Sequence, residues 1–311
     1  RILIAKIVLA LLLCPITGLA QQAPQTVDLR PTFKAGQISE YEIWTRREIT
    51  SSISGHGRTQ WSSRSMLLEG QVTWTVDKVH ADGSATCSMT VDWITALFTP
   101  GEGPEQSNDS RQPSGDTEKL HMLLRAVAGV PVVVEVAANG RVEKILGADA
   151  IREQIDDPTI ELPDIDFMES ASELALLTAA PDATEPSQRW QDRFTWRREL
   201  GMLEHDMTYK LVKVETIAGI PVATISGTAS LSLDVDTSKL PPDGPPLDID
   251  LADGSLSTQI MFDLNRSEVV GRNSIETTHI RAERLLENVT ISTTTEQTVQ
   301  SQALRIVETD R

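Results

Sequence analysis

The chain is poor in the residues that most often carry chemistry. It has two cysteines and five histidines in 311 residues. Cys14 sits inside an apolar N-terminal run, so Cys87 stands alone once that run is set aside, and no intramolecular disulfide can form. Cys87 alternates with polar neighbours on the apolar side of its segment, which makes it a small buried hydrophobe rather than a reactive thiol. The histidines, His56, His80, His121, His205 and His279, show no pairing at i+2 or i+4, and H-E-x-x-H does not occur. That spacing supports no metal site. G-x-S-x-G, the P-loop and G-x-G-x-x-G are missing too, which removes the usual signatures of a serine hydrolase, a nucleotidase and a dinucleotide enzyme. Basic charge is scarce: 28 Lys and Arg stand against 45 Asp and Glu, a net charge of −17. With Arg46-Arg47 and Arg197-Arg198 as isolated pairs and no basic patch, nucleic acid is not an expected partner. Beyond residue 20 no apolar run approaches the ~20 residues needed for a membrane-spanning helix.

What the chain does have is a leader and many strands. Residues 1–20 (RILIAKIVLALLLCPITGLA) combine early basic residues, an apolar run from Ile7 to Leu13 and small residues at Gly18 and Ala20. This reads as a cleaved secretory signal peptide and places the mature protein outside the cytoplasm, in the periplasm or secreted. Its removal takes away Arg1 and Lys6 and no acid, so −17 becomes −19.

The clearest structural signal is the stretch 72–93. Val72, Trp74 and Val76 alternate with polar residues, Asp82-Gly83 forms a tight turn, and Cys87, Met89, Val91 and Trp93 alternate again. Such runs around Asp-Gly predict a β-hairpin with one buried face. A first strand is expected through Ile38, Tyr41, Ile43 and Trp44, a turn at 54–57, and a second hairpin around Asn139-Gly140. A Pro/Gly/Ser-rich stretch, 99–116, reads as a surface loop. It leads into a helix near 117–128, capped by Thr117, with Leu120, Leu123, Leu124 and Val127 on one face and Gly129 and Pro131 beyond. Short helices are expected after Asp149 and after Ser170.

The organisation expected is a first β-rich half, 21–155; an acidic connector, 156–188; and a second β-rich half, 189–311. Residues 153–185 carry ten acids and no Lys or Arg. In the second half, strands are expected around Trp190–Trp196, Met207–Leu211, Leu231–Val235 and Ile260–Leu264, with 236–256 as a Pro/Asp-rich loop and two long Thr-rich strands closing the chain. Segments 74–91 and 209–227 resemble one another in pattern, as do 132–147 and 257–271, which points to two similar units in one sheet.

Asp248, Asp250, Asp253 and Gly254 depart from a calcium-loop pattern, because one acid is displaced and the closing Glu is missing. They read as a solvated acidic loop. Paired carboxylates for hydrolysis remain a third-ranked reading, since sequence spacing does not give the separation that such chemistry requires.

The order of leader, long antiparallel strands, Asp-Gly hairpin, helix, N-G-R-V hairpin and a Trp-led second strand set resembles uncharacterised bacterial exported β-rich families of unknown function. The architecture is similar to envelope carriers of lipoproteins and lipids with an incomplete β-barrel. The resemblance implies a mainly β fold: long antiparallel meanders in a curved half-barrel sheet, with a few helices over the concave face. It implies a non-enzymatic envelope protein, with no cofactor, that binds an apolar ligand or lipid. Trp74, Val76, Met89, Val91, Trp93, Leu120, Leu123, Leu124 and Val127 are the expected ligand-lining residues. An envelope scaffold that binds a partner protein through a sheet edge or its acidic face is the alternative.

Overall fold

Two-residue alternation governs almost the whole molecule. The computed structural model describes residues 26–112, 119–147, 151, 153, 184–198, 200–237, 247–286 and 289–306. The first half contributes β1 (Ile38–Gly55), β2 (Arg58–Val79), β3 (Ala85–Thr99), β4 (Gln106–Asp109), helix α1 (Lys119–Val127), β5 (Pro131–Val136) and β6 (Val142–Leu146). The second contributes β7 (Arg189–Arg198), β8 (Gly201–Ile217), β9 (Ile220–Val235), β10 (Leu247–Asp263), β11 (Glu268–Leu286) and β12 (Val289–Arg305). All twelve strands belong to one antiparallel sheet in the order β6-β5-β3-β2-β1-β12-β11-β10-β9-β8-β7, with β4 beside β3. The first and last strands meet in the middle, Tyr41 opposite Arg305 and Ser54 opposite Ser292. β6 and β7 form the two margins and are not hydrogen-bonded to each other, so the sheet stays open.

The turns fall where local chemistry puts them. His56 and Gly57 adopt φ of 52° and 73°, and Ala218 and Gly219 adopt 50° and 85°. Positive φ at both central residues matches the twist of a two-residue hairpin. Asp82 Oδ1 accepts from the Ser84 amide (3.0 Å), and Asn139 Oδ1 accepts from the Arg141 amide (3.1 Å), which fixes the two hairpins read from Asp-Gly and Asn-Gly.

Three sequence expectations change. The stretch 99–116 is not all loop: Gln106–Asp109 pairs with β3, and Asn108 is buried. The stretch 236–256 is not all loop either. β10 begins at Leu247, because Leu247, Ile249 and Leu251 alternate with Asp248 and Asp250 strongly enough to form a strand. The third concerns Trp93. Gln71 pairs with Trp93 but Val72 pairs with Val91, which leaves Asp92 as an extra residue in β3. Such a bulge reverses the parity of the strand. Val91 and Ile94 are buried on one face, and Trp93 turns to the other, where its indole N–H donates to Gln71 Oε1 (3.2 Å) and Arg111 lies 4.3 Å over its ring.

Helix α1 matches the expected apolar stripe, while its expected cap, Thr117, lies outside the described residues. So do 156–183 and most of the expected 149–158 helix, of which Ile151 and Glu153 are helical.

Candidate functional site

Register assigns every side chain of the sheet to one of two faces, because directly opposed residues share a face. Trp74 opposes Met89 and Ser39, Val72 opposes Val91 and Tyr41, and Ile43 opposes Ala303. The same face continues through Arg272, Ile260, Ile225 and Leu211 to Trp190 and Phe194 on β7. Both buried clusters lie on it. One gathers Trp74, Val76, Cys87, Met89, Val91, Val132 and Val134, with Leu124 and Val127 of α1. The other gathers Met207, Tyr209, Leu211, Ile225, Ile260 and Phe262, with Val27 and Leu29. Gly227 makes room for Tyr209: a Cβ there would stand 2.8 Å from the Tyr209 ring.

This face is the inner side of a bend. His205 on β8 and Glu276 on β11 are three strands apart, ~14 Å in a flat sheet. Yet His205 Nε2 donates to Glu276 Oε2 at 3.0 Å, so the sheet curls around them. The margins also approach: Arg141, in the turn between β5 and β6, donates to the Arg193 carbonyl on β7 (3.1 Å) and lies 3.9 Å from Asp192.

Beside the second cluster the inner face turns polar. Glu276, 6% exposed, meets His205 and, at 3.6 Å, Arg198. Phe194 stacks on the His205 ring at 4.6 Å and Trp196 tilts against it at 4.4 Å. Burial pushes the Glu276 pKa up. The His205 hydrogen bond and the charges of Arg198, His205 and Arg47 outweigh burial, and the net shift is below the ordinary glutamate range. A second polar group closes the lower end. Glu268 accepts from Arg305, Ser39 (3.3 Å) and Gln37 (3.3 Å), while Tyr41 donates to the Val269 carbonyl (3.1 Å). Burial raises the Glu268 pKa, opposed by Arg305. A cavity of about 30 Å³ lies here, lined by Phe33, Tyr41, Trp74 and Glu268. It has room for about one water, far short of the ~300 Å³ of an ordinary ligand pocket.

These acids have structural partners. Asp263 opposes Glu268 and is also buried, but its Oδ1 accepts the Asn265 and Arg266 amides of the adjoining turn. Glu276 lies eight residues from Glu268 on the same strand, ~26 Å away and well beyond the ~5–9.5 Å between glycosidase carboxylates. Asp248, Asp250 and Asp253 are strand residues on the opposite face from Leu247 and Ile249.

The expected ligand-lining residues fall into three groups. Trp74, Val76, Met89, Val91, Leu124 and Val127 are packed against one another in the first cluster. Leu120 and Leu123 are half-buried at its margin. Trp93 is on the other face. On the inner face, the apolar side chains that are not wholly buried lie elsewhere, on the far ends of β1, β12, β11 and β10, while the exposed Trp61, Ile275 and Leu285 lie on the outer face. At those far ends Ile49, Ile53, Ile291, Ile280, Ile249 and Leu251 share the inner face by register. None belongs to either buried cluster. Ile53 is 51% exposed and the other five are half-buried. The period-two signal was present at each of these positions, but only the register brings four strands' worth of it onto one surface.

No protein-family model matches the chain, and no curated protein matches its sequence. Among the solved structures with a loose likeness are the following three. Lipovitellin, in a structure titled for its lipid–protein interactions, is 12% identical with a TM-score of 0.41; the match covers 90% of this chain and 26% of that one, so this chain spans about a quarter of its length. A DUF1329 family protein from Desulfovibrio piger is 11% identical, with 86% and 87% of the two chains covered and a TM-score of 0.14. Pseudomonas aeruginosa OccK8 (OprE) is 8% identical, with 86% and 98% covered and a TM-score of 0.15. Likenesses at these scores carry no argument, and the functional reading rests on the inner face itself. Among the described residues no helix is long and apolar enough to cross a membrane.

Proposed function

We propose that this is an exported, non-enzymatic protein of the cell envelope that binds an apolar ligand, such as a lipid, on the inner face of a half-barrel sheet. The observation that carries the reading is the partly open apolar surface of Ile49, Ile53, Ile249, Leu251, Ile280 and Ile291, which continues the buried rows at the other end of the same strands. A contiguous apolar surface left in water costs roughly 25 cal/mol per Å² relative to burial, and patches of this kind usually mark a binding site. In this reading α1 borders the concave side, and Leu120 and Leu123 are the helix residues that would reach a ligand. Trp74, Val76, Met89 and Val91 support the face from within the core. Two similar units would build the sheet: β2, β3, β5 and β6 run outward from the centre, and β8, β9, β10 and β11 run inward from the other margin. Export rests on the leader-like residues 1–20.

The test is binding of diphenylhexatriene, an uncharged apolar fluorophore, to the purified protein. Saturable binding that is lost in Ile53→Glu and Ile280→Glu, with unchanged circular dichroism, supports the reading. Binding that both variants retain, or none at all, overturns it.

A further inference from the structure

The same open surface is sharply segregated by charge. Arg58 and Arg64 on β2, Arg47 on β1 and Arg284 on β11 all point to the inner face. On the four rows from Arg58–Gly55 to Arg64–Ile49, carried across β12 and β11 to β10, no inner-face residue is a carboxylate among those described. The reverse side of those rows carries Glu283, Glu296, Asp248, Asp250 and Asp253 against one arginine, Arg281. In a chain of net charge −17, the inner face of this extension is locally cationic.

The arrangement has a direction. Arg58 and Arg284 lie at the end nearest the hairpin turns, with Gly55 and Ile291 between them. Three strand spacings separate them, ~14 Å, which two extended arginine side chains can close onto one anion. Gly55 presents no side chain in the gap. The Arg284 Nε is buried and has no hydrogen-bond partner among the described residues. From this end the isoleucines run toward Glu276 over three steps of about 6.8 Å, ~20 Å in all, somewhat more than the ~15 Å hydrocarbon depth of one membrane leaflet. The face is five strands wide, ~19 Å, broader than one acyl chain requires.

We propose that the ligand is an anionic phospholipid. Its phosphate is held by Arg58 and Arg284 at the hairpin end, and its two acyl chains lie along Ile53, Ile49, Ile280 and Ile249 toward the centre of the sheet. Guanidinium groups suit this head, because their planar fork pairs two phosphate oxygens at once. The proposal rests on the apolar-ligand reading above and adds the head-group and its polarity.

The test uses the full chain and three fluorescently labelled probes: phosphatidylglycerol, phosphatidylcholine with the same acyl chains, and palmitate. The expected result is at least ~10-fold tighter binding of phosphatidylglycerol than of phosphatidylcholine. The preference falls with added salt and disappears in the Arg58→Gln/Arg284→Gln double variant, which keeps the weaker phosphatidylcholine affinity. Arg64→Gln, three rows away, has a smaller effect. Thermal melting of each variant separates loss of binding from loss of fold. Equal affinity for the two phospholipids, or a preference that survives the double variant, overturns the anionic head-group while leaving the apolar site standing. Palmitate binding as tight as phosphatidylglycerol, lost in the same variant, overturns the phospholipid in favour of a carboxylate. If no probe binds, both readings fail together.

Discussion

The inner face of β1 and β11 changes character along its length. At the lower end Tyr41, Ile43, Val269 and Arg272 are almost wholly buried. At the upper end Ile49, Ile53 and Ile280 continue the same alternation on the same strands, yet they are half-buried or exposed. Strand propensity and pleat are alike in the two regions; what differs is cover. Below, side chains from α1, the opposing cluster and residues 27–33 fill the space. Above, the apolar side chains belong to neither cluster, and the charge beside them is positive. An apolar row that is buried accounts for itself through stability, whereas one left open is what the proposed ligand would cover.

The polar stripe between the two regions is where a single substitution should cost most. Glu276→Ala removes the carboxylate that pairs with His205 and Arg198 and leaves buried polar groups without it. Breaking one partner of a buried pair costs about 3–5 kcal/mol, so the urea midpoint should fall by more than for any open-face variant. Next comes a matched pair of truncations. Ile260→Ala, in the second cluster, should cost about 2–5 kcal/mol from lost burial and cavity. Ile53→Ala, at 51% exposure, should cost well under half of that. Equal costs would mean that the upper region is covered after all.

Acid titration sharpens the same contrast. The folded-state pKa of Glu276 lies below the ordinary glutamate value, so its stabilising contribution is fully present above that ordinary value and is lost as pH falls through the depressed one. Glu268 has the opposite sign: burial raises its folded-state pKa, so its charged form costs stability above the raised value, and protonation relieves that cost. Wild type should therefore lose stability below the ordinary glutamate range, and a Glu276→Gln variant should show a shallower acid loss in equilibrium denaturation. The smallest effect is expected at the margins. Arg141 is 47% exposed and its contact with Asp192 is long, but Asp192 is only 6% exposed, so Arg141→Ala should cost about 1 kcal/mol.

Much of this fold is legible in the sequence, for local reasons. Asp82-Gly83, Asn139-Gly140 and Ala218-Gly219 mark hairpins because turn chemistry is confined to a few residues. The α1 stripe is equally plain. Composition misleads at β10, where the Pro/Asp-rich context hides the alternation of Leu247, Ile249 and Leu251. Pattern misleads at Trp93, since a one-residue bulge at Asp92 is invisible to a period-two reading and moves the side chain to the other face. The candidate site is the least legible part. Ile49, Ile249, Ile280 and Ile291 come from four strands, and only the long-range pairing of β1 with β12, added to the β11–β12 and β10–β11 pairings, sets them side by side.

In our proposal acyl chains lie on the open upper half of the inner face. Photo-crosslinking tests it most directly. A phosphatidylglycerol bearing a diazirine in its acyl chain is irradiated with the full chain, and adducts are located to single residues by fragmentation mass spectrometry. Adducts are expected on Ile49, Ile53, Ile280 and Ile291. Adducts confined to outer-face residues of the same strands, such as Trp61, Ile275 and Leu285, would contradict it.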